Sequence, residues 1–178
     1  MAIKNKRPPR KETVGAQYIC FATPSKDGEW SGQYEEDVER TATVKSVSVT
    51  ENSESADVYA SGEVYDTDQP AAADSIGVEV VAFPIGTLAK ARAATVDEGG
   101  LIMDGAPNTR PFFAYGKVVL MKNGHFRYEW YPKCKLTENS DETATREESP
   151  SEQNDTFTIS AYSFDAKGHK KTYVDSTA

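Results

Sequence analysis

The chain has 178 residues, 38% hydrophobic and 27% charged, with 20 Lys+Arg against 28 Asp+Glu for a formal net charge of -8. That length suits a single domain, and folding at this size buries roughly 70% of the unfolded surface, so a core forms without disulfide or metal staples. The 7 Phe, 9 Tyr and 2 Trp exclude a disordered chain, and the acidic balance excludes a protein that coats nucleic acid by neutralising phosphates.

Taken in chain order, strand signals dominate. Basic Lys4, Lys6, Arg7, Arg10 and Lys11 precede a short apolar run at 14–22 that imitates a secretion signal. Gln17 and Tyr18 interrupt that run, so residues 17–23 read as a strand and the chain is expected in the cytosol when made. Residues 1–15, with Pro8-Pro9, are expected to form a flexible arm ahead of one domain over 16–178. Residues 42–50 alternate, Val47 and Val49 on one side and Ser46, Ser48 and Thr50 on the other. A further strand is expected over 57–65. Another spans 75–83, with Ile76, Val78 and Val80 on one face and Val81 and Phe83 on the other. One helix is expected after Pro84, carrying Ile85, Leu88, Ala89 and Arg92 at helical spacing and running to about Thr95, with Gly99-Gly100 nearby to stop the chain.

Residues 112–121 and 126–136 flank Asn123-Gly124, the preferred dipeptide of a two-residue hairpin turn whose central positions both need positive φ. That turn sets Lys122 opposite His125 and Met121 opposite Phe126. Leu120 then opposes Arg127, Val119 opposes Tyr128, and Val118 opposes Glu129. One face, the expected core face, collects Met121, Val119, Phe126, Tyr128 and Trp130. The other carries Val118, Leu120, Arg127, Glu129 and Tyr131, a mixed surface suited to being covered by another chain. Residues 137–155 read as a solvated loop by composition. Residues 156–164 resume alternation, with Phe157, Ile159 and Ala161 inward. Ala166-Lys167-Gly168-His169 turns the chain into a last strand at 170–174. The fold class is mainly β, an antiparallel sandwich or partly closed barrel with one short flanking α-helix.

Charge is segregated along the chain. Between Ser46 and Ala89 there is no Lys or Arg, against eight acids: Glu51, Glu54, Asp57, Glu63, Asp66, Asp68, Asp74 and Glu79. Residues 90–136 carry eight basic groups against four acidic, and 137–155 carry seven acids with only Arg146. Alternating blocks suit copies stacked acidic surface to basic surface, although charge alone favours the plainer reading of solvated loops on a monomer.

Catalytic constellations are scarce. Cys20 and Cys134 read as buried apolar thiols, and a closed zinc site would need both of them and both histidines. His125 and His169 fall at turns and are expected to be exposed. There is no phosphate loop or nucleophile elbow. Asp66-Thr67-Asp68 could pair on a metal, but reads as solvated acids of a turn. Glu129 beside Trp130 could be a glycosidase carboxylate, yet the expected neighbour Arg127 offers an ordinary ion pair. Tyr128, Trp130 and Tyr131 could stack on sugars, except that alternation sets Tyr131 on the opposite face. No run of ~20 apolar residues is present to span a bilayer as a helix.

The order of several segments resembles the major tail proteins of long-tailed, non-contractile phages. These are Gly99-Gly100-Leu101-Ile102-Met103-Asp104, Pro111-Phe112-Phe113-Ala114-Tyr115-Gly116 and Lys122-Asn123-Gly124-His125-Phe126-Arg127-Tyr128-Glu129-Trp130-Tyr131. They are followed by Lys133-Cys134-Lys135-Leu136, by Thr145-Arg146-Glu147-Glu148-Ser149-Pro150 and by Thr156-Phe157-Thr158-Ile159-Ser160-Ala161. Asp57-Val58-Tyr59-Ala60-Ser61 sits where the family has an apolar-Tyr-Ala-Asp strand end, with Ser61 replacing the acid. The likeness covers roughly residues 40–174 and leaves 1–15 unmatched.

The resemblance implies a structural virion protein, neither enzyme nor cofactor binder. A β-sandwich assembles into six-fold rings that stack into the tail tube through which DNA is ejected. Its implied partners are copies of itself, the tape measure protein and the tail terminator and tip proteins. The implied location is the virion, with the host cytoplasm during assembly and no membrane. The resemblance also implies that residues 143–152 could pair as a strand. A carboxylate-rich bore would repel phosphates and let DNA pass. Inter-ring contacts are expected from Glu51, Glu54, Asp57, Asp66 and Asp68 against Lys4, Arg7 and Arg10. Inter-subunit sheet contacts are expected from Val118, Leu120, Arg127, Glu129 and Tyr131. The alternative is a β-sandwich adhesin or carbohydrate-binding module using Tyr128 and Trp130.

Overall fold

The computed structural model of the chain describes residues 8–25, 28–52, 72–140 and 154–176, and the backbone alone at 56–60 and 63–68. Within these the chain is mainly antiparallel β with one short α-helix. The main sheet has eight strands. Along its path lie β2 (Glu39–Thr41), β1 (Lys11–Phe21), β9 (Phe113–Met121), β10 (Phe126–Ser140), β11 (Asp155–Ala161), β6 (Asp74–Val80) and β3 (Val44–Thr50). The eighth, β12 (Thr172–Asp175), pairs with the first half of β10. Two small ribbons stand apart from this sheet, β4 (Ala56–Ala60) with β5 (Glu63–Asp68), and β7 (Thr95–Val96) with β8 (Ile102–Met103).

The main sheet curls so that β3 comes close to β1, and the concave side holds the core. Ile19, Phe21, Ile76, Val78, Val80, Phe113, Tyr115, Tyr131, Cys134, Leu136, Phe157, Ile159 and Ala161 meet there, with Val44, Val47 and Val49 packed against them. The inward sets of β6 and β11 are those that alternation predicts: Ile76 against Ile159 and Val78 against Phe157. Each such large apolar side chain contributes about 1.5–3 kcal/mol by leaving water.

Helix α1 (Ile85–Ala91) begins after Pro84, as expected, but buries Thr87 and Ala91 and leaves Ile85 exposed. It ends at Ala91, about one turn short of the expected end near Thr95. Ala93 takes φ 54°, and the amides of Ala93 and Ala94 donate back to the Lys90 and Ala89 carbonyls at 3.0 and 2.8 Å. This is a left-handed helix stop built on alanine instead of glycine. Gly105 lets the next segment close on it, since a Cβ there would lie 2.3 Å from the Ala93 carbonyl oxygen.

Four boundaries differ from expectation. β1 starts at Lys11, so residues 11–15 pair with β9 instead of belonging to an arm. Residues 57–65 form parts of two strands, not one, and Asp66-Thr67-Asp68 is strand, not turn. β6 ends at Val80, leaving Val81 exposed. β10 runs on to Ser140, pairing Ser140 with Thr156, so 137–140 is strand where composition suggested loop. Residues 143–152 lie outside the described residues.

The largest correction is the register of the β9–β10 hairpin. Asn123 keeps a negative φ, while Gly124 takes φ 82°. Gly124 N–H donates to the Met121 carbonyl at 2.9 Å, and Met121 N–H to the His125 carbonyl at 2.8 Å. The loop therefore has three residues, Lys122, Asn123 and Gly124, with glycine at the left-handed bulge position. One extra loop residue shifts the pairing by one: Phe126 opposes Leu120, Tyr128 opposes Val118, and Glu129 opposes Lys117. Every side chain of the first half of β10 thus changes face relative to the expected pairing.

Candidate functional site

The shift turns Phe126, Tyr128 and Trp130 outward, where the expected register would have them in the core. On the outer face they join Val118 and Leu120 of β9 and Val174 of β12, which opposes Tyr128. Phe126 is 42%, Tyr128 47% and Val174 62% exposed, an apolar density unusual for a free sheet face. The Phe126 and Tyr128 rings lie 6.4 Å apart. Trp130 lies flat across Gly116, where an added Cβ would come within 1.9 Å of the indole. Glycine is required there by close approach, not by backbone conformation.

Of the expected inter-subunit set, Val118 and Leu120 belong to this outer face, and Arg127, Glu129 and Tyr131 do not. Tyr131 is fully buried, with its hydroxyl unpaired, and Glu129 is 7% exposed. Glu129 makes an ion pair with Lys117 at 3.2 Å, inside the sheet. The partner expected for it, Arg127, instead makes a two-pronged pair with Asp175 at 2.6 and 2.8 Å. Desolvation holds the Lys117 ammonium below its ordinary pKa, partly offset by Glu129. Burial likewise pushes the Tyr115 and Tyr131 hydroxyls up. Neighbouring Gln17 is fully buried; its side-chain oxygen accepts from the Tyr115 hydroxyl at 3.4 Å, and its Nε2 has no partner.

The expected inter-ring residues are dispersed. Glu51 is 70% exposed and paired with Lys171 of the same chain at 3.1 Å. Asp74, also from the acidic block, is buried against Lys170 at 2.6 Å. Two of the basic groups near the chain end therefore meet the acidic block within one molecule. Asp57, Asp66 and Asp68 occupy the β4–β5 ribbon, at register positions opposite Thr67, Val58 and Ala56. Arg10 is exposed beside the β9–β10 turn, its carbonyl accepting from Lys122 N–H at 2.9 Å. Lys4, Arg7 and Glu54 lie outside the described residues.

Cys20 and Cys134 are buried free thiols, and burial pushes both upward, away from the nucleophilic thiolate. His125 is half-buried beside the turn, not fully exposed as expected, and exposed His169 pairs with Asp165 in the last turn. Among the described residues no three His, Cys, Asp or Glu side chains converge on a metal position. A groove of about 490 Å³ runs beside Phe21, Lys90, Arg110 and Phe112. Its cation Lys90 pairs with Glu35, and Arg110 donates to the Leu136 and Thr137 carbonyls at 3.0 and 2.7 Å.

The outer face was missed because the Asn-Gly dipeptide points to a two-residue turn. A signal was nonetheless present: Pro132, which cannot donate to a ladder, marks a bulge that an unbroken register does not need. No described helix is long and apolar enough to cross a membrane. No known protein-family model matches the chain, and no curated protein matches it.

Proposed function

We propose that this chain is a structural virion protein, the tube-forming subunit of a long-tailed phage, whose copies build stacked rings around a DNA conduit. The observation that carries the reading is the apolar outer face of β9, β10 and β12, where Phe126, Tyr128 and Val174 are exposed among the described residues. Such a face gains most by burial against another chain, and a self-assembling subunit supplies that chain in copies. The segment order that resembles phage major tail proteins points the same way, as does the net charge of -8, which keeps DNA from adhering to the tube wall.

In this reading the inter-subunit surface is Val118, Leu120, Phe126, Tyr128 and Trp130, with Val174, instead of a set that includes Glu129 and Tyr131. The β4–β5 ribbon, carrying Asp57, Asp66 and Asp68, reaches the neighbouring ring together with Glu51 and Glu54. Basic residues Lys4, Arg7 and Arg10 receive it. An exposed ion pair such as Glu51–Lys171 holds little free energy, about 0–1 kcal/mol, so it exchanges readily for an inter-ring one. The protein has no catalytic role and needs no cofactor. Its partners are its own copies, then the tape measure, terminator and tip proteins, in the host cytoplasm and finally in the virion.

Negative-stain microscopy of concentrated protein tests this directly. Rings or hollow tubes are expected, and Tyr128→Lys abolishes them while leaving a folded monomer. Native protein that stays monomeric under all conditions overturns the reading. Charge reversal at Asp66 and Asp68 is expected to shorten tubes or change their salt dependence; unchanged tubes remove the ribbon from the inter-ring contact.

One observation favours a second reading. Phe126, Tyr128 and Trp130 form a row of aromatic rings on one exposed face, an arrangement on which sugars stack. A carbohydrate-binding module would stay monomeric and show a tryptophan fluorescence change with glycans.

A further inference from the structure

The first half of β10 is bounded by two irregularities that cancel. The three-residue loop adds one residue at the turn, so pairing from Phe126 with Leu120 to Tyr131 with Tyr115 is shifted by one from a two-residue turn. Between Tyr131 and Cys134 the register shifts again, with Pro132 and Lys133 facing Ala114 alone, and Cys134 opposes Phe113. That last pair is the one a two-residue Asn-Gly turn would produce if its ladder ran unbroken. Residues 126–131 are thus the stretch of β10 whose pairing with β9 departs from the register of a two-residue turn. The alternative register needs no bulge at all.

The departure has visible costs. It exposes Phe126 and Tyr128, turns the Glu129 carboxylate inward against Lys117, and buries Tyr131 with its hydroxyl unpaired. A buried ion pair seldom stabilises a fold relative to apolar residues of the same volume; its attested use is to specify register. Here Lys117 and Glu129 stand directly opposite one another only in the shifted pairing. A slip of β10 to the unbroken ladder would set Glu129 against Val118 and leave Lys117 buried without a counter-charge. Gly116 beneath Trp130 and Pro132 in the bulge fit the same pairing.

We infer that the Lys117–Glu129 pair is the register lock of the hairpin, and thereby decides which chemistry the outer face presents. Locked, that face shows Phe126, Tyr128 and Trp130. Slipped by one residue, it shows Arg127, Glu129 and Tyr131, a more polar surface. The inference concerns the single chain and stands whether or not the outer face is covered by copies.

Cysteine pairs read the register. Val118→Cys with Tyr128→Cys sets two cysteines directly opposite on the outer face in the locked pairing. Leu120→Cys with Arg127→Cys does so only in the slipped one. Crosslinks formed by mild oxidation are located by mass spectrometry, which separates them from buried Cys20 and Cys134. In the native background only the 118–128 crosslink is expected. With Lys117→Met and Glu129→Leu added, the 120–127 crosslink rises about tenfold, within the usual coupling between contacting residues, and the 118–128 crosslink falls. A folded double variant that keeps the native pattern overturns the inference. Should that variant not fold, Glu129→Gln, which removes the charge and keeps the shape, is expected to raise the 120–127 crosslink measurably. Its absence there overturns the inference as well.

Discussion

The two halves of β10 lie on one strand and obey different rules. From Cys134 to Leu136 the strand pairs with β11, its buried residues Cys134 and Leu136 are apolar, and alternation places them before the register shift between Leu136 and Glu138. From Phe126 to Tyr131 it pairs with β9 and β12, buries a carboxylate, and turns its aromatic residues outward. The difference shows that hydrophobic alternation decides register where one face is uniformly apolar. Where both faces are mixed, turn geometry and a single charge pair decide it instead.

The sharpest way to break this comparison is to remove one charge from the first half. Lys117→Ala leaves Glu129 buried without its counter-charge and is expected to lose about 3–5 kcal/mol in denaturant unfolding, whereas Lys117→Met with Glu129→Leu stays near the native value. Equal losses in the single and double variants would show that the pair is simply packing. In the second half's neighbourhood, Ile159→Ala empties a fully buried site opposite Leu136 and is expected to cost about 2–5 kcal/mol with register intact.

Gly116→Ala comes next. Its Cβ drives into Trp130, and about 1–3 kcal/mol of overpacking is expected, relieved when Trp130→Leu is added. Tyr128→Ser on the outer face is expected to change monomer stability by about 1 kcal/mol or less, because Tyr128 is 47% exposed and loses only its cross-strand contacts with Val118 and Val174. A large loss there would mean that the face is internal.

The smallest effect is a pH dependence in the first half alone. The hydrogen bond from Arg127 holds the Asp175 carboxyl below its ordinary value of 3.8. A carboxylate with a depressed folded pKa stabilises the folded state above the ordinary value and loses that contribution as pH falls through the depressed one. Pairing of β12 with β10 should therefore be constant from pH 7 to about 5 and loosen below about 3.8, read as amide protection corrected for intrinsic exchange. Protection that falls equally in β11 would assign the change to global unfolding.

Much of the fold is legible in the chain by itself. Alternation at Ile76, Val78 and Val80 and at Phe157, Ile159 and Ala161 places β6 and β11 and their inward faces, because a side chain every second residue has only one apolar side to bury. Pro84 places the start of α1. The buried state of both cysteines follows from their apolar neighbours. Other features carry no such periodic signal. Residues 11–15 and 137–140 are polar, yet they are strands because β9 and β11 offer them ladders. The helix end depends on Ala93 adopting a left-handed turn against Gly105.

The outer face belongs wholly to the second group. Asn123-Gly124 is compatible with a two-residue or a three-residue loop, and the local chain does not choose between them. Only the assembled sheet does, since Lys117 finds Glu129, Trp130 finds the bare backbone of Gly116, and Pro132 finds a bulge in one register alone. Composition and periodicity determine a curled antiparallel β domain of acidic charge. Which side of its longest strand meets the outside is settled by contacts between residues far apart in sequence, because a one-residue step in a ladder inverts every side chain and leaves the pattern along the strand unchanged.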